Sequence, residues 1–288
     1  MDIRLSGTLD AAMIDNILKL IESKKSVSIF DLSKITFVKP YGLVLLLQIF
    51  DYLEQIDEII FPDNHTISYI ARAGFFDQAQ EIINLDAHIK KINENVKYSK
   101  DNKTLIAVTK IENKQDILAT LVAVNNQTRN ILVNDLKYEN KDIEDFVVLL
   151  SELLDNIRRH SGSNGYISAQ SYRFHNSNYK YISVCISDTG IGMKQSYLEN
   201  GYPDKLDDKD ALELAIIKES SRFSFTGERG GNGYKGIKEK VSKLNGAFFV
   251  KSGNCRIDTF NKSFTFEEGL PYFKGTQIEI TLPQKTLT

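Results

Sequence analysis

Three polar segments of this 288-residue chain hold the residue types from which a site for phosphate chemistry can be built. In Ser151-Glu152-Leu153-Leu154-Asp155-Asn156, Glu152 and Asn156 stand four apart, so on a helix they face the same way, one turn from each other. An asparagine carbonyl is a hard oxygen ligand, suited to a magnesium ion that keeps several waters and bridges phosphates. A carboxylate one turn away can polarise a water toward a terminal phosphate. Arg159, another turn along, brings a guanidinium within reach of a phosphate oxygen. By spacing alone, an ordinary solvated helix face is the better account of these residues.

Asp188-Thr189-Gly190-Ile191-Gly192 closes a pattern in which Ile182, Val184 and Ile186 alternate with Tyr181, Ser183, Cys185 and Ser187. Asp188 falls in phase with the apolar set, where an unpaired carboxylate is costly and needs a donor. The exocyclic amine of adenine would serve, and Gly190 and Gly192 would let a base come close to the backbone. The same residues also favour a plain turn. Further on, Gly227, Gly230, Gly231, Gly233 and Gly236 crowd ten residues ahead of a helical pattern. Backbone N–H groups of such a loop, with the positive end of the helix, can cradle phosphates, and Lys235 adds charge. A merely flexible loop has the same composition.

The elements that must position these groups read as α/β throughout. Strand signals at Ile3 to Leu5, Val27 to Phe30 and Ile59 to Phe61 alternate with helices at Ala11 to Ser23, from Pro40, and near Ser68 to Gln78. This is a βαβαβα unit, assigned to residues 1–95, and the second helix is expected to show one apolar face of Leu43, Leu46, Leu47 and Phe50. The polar stretch 89–104 reads as a connector. Residues 96–288 follow with a strand at 105–108, helices at about 114–132 and 141–160, strands at 166–172 and 181–188, a helix at 235–244, and strands at 247–251 and 277–282. That order suggests a sandwich with helices on one face of a sheet.

Composition narrows the partners. Hydrophobic residues make up 42% and charged residues 26%, ordinary values for a globular protein, and the net charge of −2 gives no overall attraction to nucleic acid or anionic membrane. The longest apolar run, Tyr41 to Phe50, is too short to span a bilayer, and Met1 to Ser6 lacks signal-peptide character. Cys185 and Cys255 show no metal-ligand spacing, so a reduced, cytoplasmic protein is expected. No histidine lies in a phosphoacceptor helix pair.

In order and content, the three segments resemble the N, G1 and G2 boxes of the ATP-binding (GHKL) superfamily of type II topoisomerases, Hsp90-type chaperones, histidine kinases and mismatch-repair proteins. The resemblance implies a Bergerat-type two-layer α/β sandwich that binds ATP with Mg2+. By this likeness Glu152 activates water, Asn156 holds the metal, and Asp188 reads adenine with Gly190 and Gly192 beside it. Gly230, Gly231, Gly233 and Gly236 take phosphate, and Thr276 after Gly275 contacts the adenine region. The insertion at about 193–230 looks like the family's lid. In the first third, Phe30-Asp-Leu-Ser-Lys-Ile-Thr-Phe-Val38, Pro40-Tyr-Gly-Leu43 and Ala73-Gly-Phe-Phe76 resemble STAS domains. Phosphorylation-controlled members of that family carry a serine where this chain has Lys39-Pro40-Tyr41-Gly42.

Together these readings imply a slow ATPase used as a regulatory switch. The alternatives are an anti-sigma-factor-like serine/threonine kinase acting on a partner STAS protein, or a non-hydrolysing binding module. The oligomeric state, a homodimer included, is open.

Overall fold

The computed structural model describes residues 1–22, 24–62, 65–83, 104–158, 163–174, 177–218, 234, 236–260 and 263–285. Three parallel strands, β1 (Asp2–Leu9), β2 (Ser26–Val38) and β3 (Gln55–Ile60), form one sheet with β2 in the middle. Parallel neighbours need crossovers, and α1 (Ala11–Ile21) and α2 (Pro40–Tyr52) supply them. α1 begins where the Asp10 carboxylate accepts from Met13 N, and it buries Ile14, Ile17, Leu18 and Ile21. The expected short second strand is in fact thirteen residues long. Its extension carries Leu32, Ile35 and Val38 into the core.

α2 departs furthest from expectation. Every residue from Pro40 to Phe50 is buried, not one stripe of it. A helix apolar on all sides is covered on all sides. Gly42 permits this, because a Cβ there would stand 2.2 Å from the Leu9 carbonyl oxygen. Two short helices follow, α3 (His65–Arg72) and α4 (Phe75–Ala79), where one is expected. Gly74 between them has φ +75, a conformation that favours glycine.

Seven antiparallel strands form the second sheet, in the order β4-β5-β6-β10-β7-β8-β9. They are β4 (Thr104–Ile111), β5 (Gly165–Arg173), β6 (Lys180–Asp188), β7 (Ala247–Gly253), β8 (Cys255–Asp258), β9 (Thr265–Glu267) and β10 (Phe273–Pro283). One face packs on α5 (Lys114–Ala123), α6 (Arg129–Asn134), α7 (Asn140–Asn156), α8 (Gly192–Leu198), α9 (Asp208–Leu212) and α10 (Ile237–Lys243). The helix expected over 114–132 is interrupted at Val124–Thr128 by a wider π-type turn. The connector 89–104 lies outside the described residues except Thr104, which already belongs to β4.

The helix-on-sheet sandwich is therefore present, but its far face is not left to water. α2 lies across β5 and β6 on that face, and Tyr166, Cys185, Phe249 and Phe273 join the same apolar cluster as α1 and α2. Ser187 Oγ bonds Gln48 Oε1 at 2.6 Å, and Lys251 Nζ meets Asp15 Oδ1 at 2.5 Å. The two sheets thus enclose α2 between them.

Candidate nucleotide site

The floor of the site is one cross-strand row of the larger sheet. Gly165 on β5 pairs with Asp188 on β6, Thr276 on β10 donates its N–H to Asp188, and Thr276 pairs with Ser252 on β7. The row is pressed tightly together. A Cβ on Gly275 would stand 2.1 Å from the Asp188 carbonyl oxygen, and its φ of +81 also demands glycine. A Cβ on Gly165 would meet Ile157 Cδ1 at 2.7 Å, so the end of the α7 segment lies directly against the strand end that carries Asp188.

Ser252 ties this floor to the turn above it. Its hydroxyl donates to Gly275 O at 3.0 Å and accepts from Met193 N at 2.9 Å. Gly192, at φ +74, turns the chain into α8 just there. Gly190 N donates to Asp188 Oδ1 at 2.8 Å, so residues 188–190 form an Asx-type turn. Only 7% of Asp188 is exposed, and burial pushes its carboxyl up to about 7 despite the N–H groups of Gly190 and Thr276. A carboxyl in that condition gains from any further donor placed against it.

Glu152 and Asn156 come from the last turns of α7. The helix buries Ile143, Phe146, Leu150, Leu153 and Leu154 in the core, which aims the Glu152 stripe away from it. Asn156 is itself buried at the helix end, while Glu152 is half-exposed. Lys240 on α10 reaches across and donates to both Glu152 oxygens, at 3.0 and 2.9 Å. Gly236, at φ +86, leads into that helix.

The family model described as histidine kinase-, DNA gyrase B-, and HSP90-like ATPase matches residues 141–286, which span this whole arrangement. The chain belongs to that family. A search of curated proteins finds no match. The matched segment is a GHKL-type ATP-binding module of the ATPase or kinase kind, and it takes in β5 to β10 of the sheet, α8 to α10, and α7 from its second residue, while β4 lies before it.

Of the residues singled out from sequence, the structure gathers Asp188, Gly190, Gly192 and Thr276 around one strand end, with Asn156 on the adjoining helix. Glu152 stands one turn earlier, held by Lys240, and Gly236 begins the helix that carries that lysine. Arg159, Gly230, Gly231 and Gly233 lie outside the described residues, as does Lys235. The stretch expected as a lid, 193–230, belongs to the HATPase core as far as Ile216: Met193, Tyr197, Leu206, Leu212 and Ile216 are buried in it. Asp208 caps this packing by accepting from Asn254 N at 2.9 Å. Residues 219–233 lie outside the described residues.

Sequence reasoning missed Ser252, Gly165 and Lys240. The first two carry a readable signal, since small residues in strands mark close approach. Lys240 carries none. On a helix with Lys238, Glu239 and Lys243 it is one more charged residue until the fold brings Glu152 to it.

Proposed function

We propose that this protein is a regulatory ATPase in which ATP, bound with Mg2+ on the Asp188 row, is slowly hydrolysed and switches the state of the whole chain. The observation that carries the reading is the buried Asp188 carboxyl at the strand end, with α7 abutting the same row through Gly165 and Ile157.

Asp188 accepts the adenine amine, which supplies the donor that its burial calls for. Gly190 and Gly192 keep the turn above it narrow, and Thr276 closes the other side of the base. Asn156 would hold Mg2+, which when bound would neutralise phosphate charge. Glu152 takes the proton from the attacking water on a carboxylate oxygen. Arg159, Gly230, Gly231, Gly233 and Gly236 complete the phosphate side in this reading.

We read residues 1–95 as a STAS-like unit and 96–288 as the ATPase domain, in a cytoplasmic protein that works with a protein partner. Burial of Tyr41 against Phe249, with ring centroids 5.0 Å apart, bears on the kinase alternative. The turn that holds the acceptor serine in phosphorylated STAS proteins faces the ATPase sheet here, so an acceptor would have to come from a separate STAS protein.

Phosphate release from Mg-ATP by the wild type and Glu152→Ala, with ATP binding measured on the same samples, tests the reading. Release lost in the variant while binding persists is expected. Binding without release in either protein would favour transfer to a partner hydroxyl or a non-hydrolysing module. Absence of binding would overturn the site.

A further inference from the structure

Lys240 occupies a position that the proposed chemistry leaves unexplained. Its ammonium has three donors, and two engage the oxygens of Glu152, at 3.0 and 2.9 Å. The same Nζ lies 3.3 Å from the point where a Cβ on Gly236 would stand. One cation therefore holds the proposed base and lies beside Gly236, the last glycine of the proposed phosphate loop. The Lys240 side chain is 18% exposed and that of Glu152 33%, and a pair so open to water contributes little to folding. Held in this way, Glu152 has both oxygens engaged by the ammonium, so a water must compete with Lys240 to reach them.

Resting on the function proposed above, we propose that Lys240 is a terminal-phosphate reader that masks Glu152 until a triphosphate is bound. A terminal phosphate carries more negative charge than a carboxylate and offers three acceptor oxygens, so it competes for the ammonium. The lysine stem is a flexible four-carbon chain, and Gly236 places no side chain against its ammonium. Transfer of the ammonium from Glu152 to the phosphate would do two things at once. It adds an attraction that a diphosphate lacks, and it leaves the Glu152 carboxylate free to accept a proton from water. Lys240 is thus a positioning residue for the base and a specificity residue for the nucleotide.

The full chain is titrated in Mg2+ with ADP and with a non-hydrolysable ATP analogue, as wild type, Lys240→Met, Lys240→Arg and Glu152→Gln. Lys240→Met is expected to lower the preference for the triphosphate about tenfold or more while ADP affinity holds, with Lys240→Arg keeping part of it. Glu152→Gln, which frees the lysine beforehand, is expected to raise that preference. An unchanged preference in both Lys240→Met and Glu152→Gln would reduce the pair to a surface contact and overturn the inference. Failure of the wild type to bind either nucleotide would overturn the site itself, and the inference with it.

Discussion

On one face of the seven-stranded sheet, Ile167, Val184, Ile186, Ile278 and Ile280 belong to a continuous apolar core; on the other, Ser187, Lys251, Gln277 and Glu279 are buried as deeply. The first face would suit any helix of about the right volume. The second suits only a surface that answers its polar groups, since each costs free energy if left unpaired. Gln48 answers Ser187, Asp15 answers Lys251 and, at 3.4 Å, Arg256, and Ser183 answers Glu279 within the sheet. The polar face thus fixes where the N-terminal unit sits. The two faces are also interleaved along the chain. Asp188, Ser252 and Thr276 of the nucleotide row are chain neighbours of Ser187, Lys251 and Gln277 of the row beneath α1 and α2.

The comparison breaks most readily at Asp15. Burial pushes the Lys251 ammonium down, while Asp15 holds it in the charged form. Asp15→Ala leaves that ammonium buried beside Arg256, and a cost of about 3–5 kcal/mol is expected from urea midpoints. The apolar double replacement Asp15→Leu with Lys251→Met should recover most of the loss. A cost well under ~1 kcal/mol for Asp15→Ala would mean that the polar face does not determine the docking.

Asp188 sharpens the comparison from the other side, because its row is meant for a ligand. Burial holds its carboxyl at about 7 in the folded chain against an ordinary value of 3.8, so the folded state holds the proton more tightly. Its contribution to stability is therefore full below about pH 4, falls as pH rises, and is gone above about pH 7, a change of at most ~4 kcal/mol. Unfolding midpoints of the nucleotide-free wild type should fall over that window relative to Asp188→Asn. Nucleotide should offset the fall, because an amine donor favours the carboxylate, and one proton should be released on binding near pH 6. Parallel pH profiles for the two proteins would contradict the burial argument.

Gly275→Ala comes next. Its Cβ would overlap the Asp188 carbonyl at φ +81, so a loss of about 3 kcal/mol is expected, with nucleotide binding weakened at least tenfold. Calorimetric titration of the folded fraction separates the two effects. If the protein keeps its affinity, the narrow row is not the nucleotide floor.

These features were unequally legible. The phase of Asp188 with Ile182, Val184 and Ile186 gave its burial directly, and the spacing of Glu152 and Asn156 placed both on one helix. The covered face was not foreseen. The Ser183-Cys185-Ser187 stripe alternates as a solvated face would, and period-two patterns cannot distinguish water from a polar partner. The one sequence signal lay in α2, where Gly42-Leu-Val-Leu-Leu-Leu-Gln-Ile-Phe50 is apolar around the whole helix. β8 and β9 escaped because strands of four and three residues carry almost no periodicity. Lys240 escaped for a different reason, since its meaning depends on a partner 88 residues away.

The smallest expected effect tests whether the two faces communicate. Ser187→Ala leaves Gln48 Oε1 buried without its donor, for about 1–2 kcal/mol, whereas Ser187→Ala with Gln48→Leu should be nearly neutral because both partners leave together. Neither residue belongs to the nucleotide row, yet Ser187 adjoins Asp188. If the rows behave as one rigid strip, the single variant should also weaken nucleotide affinity by about two- to tenfold, and the double should restore it. A stability loss with unchanged affinity would show that the interface and the site share strands without sharing energy. Communication would then have to run through the Lys240 side of the pocket, where α10 packs on α7 and on β7.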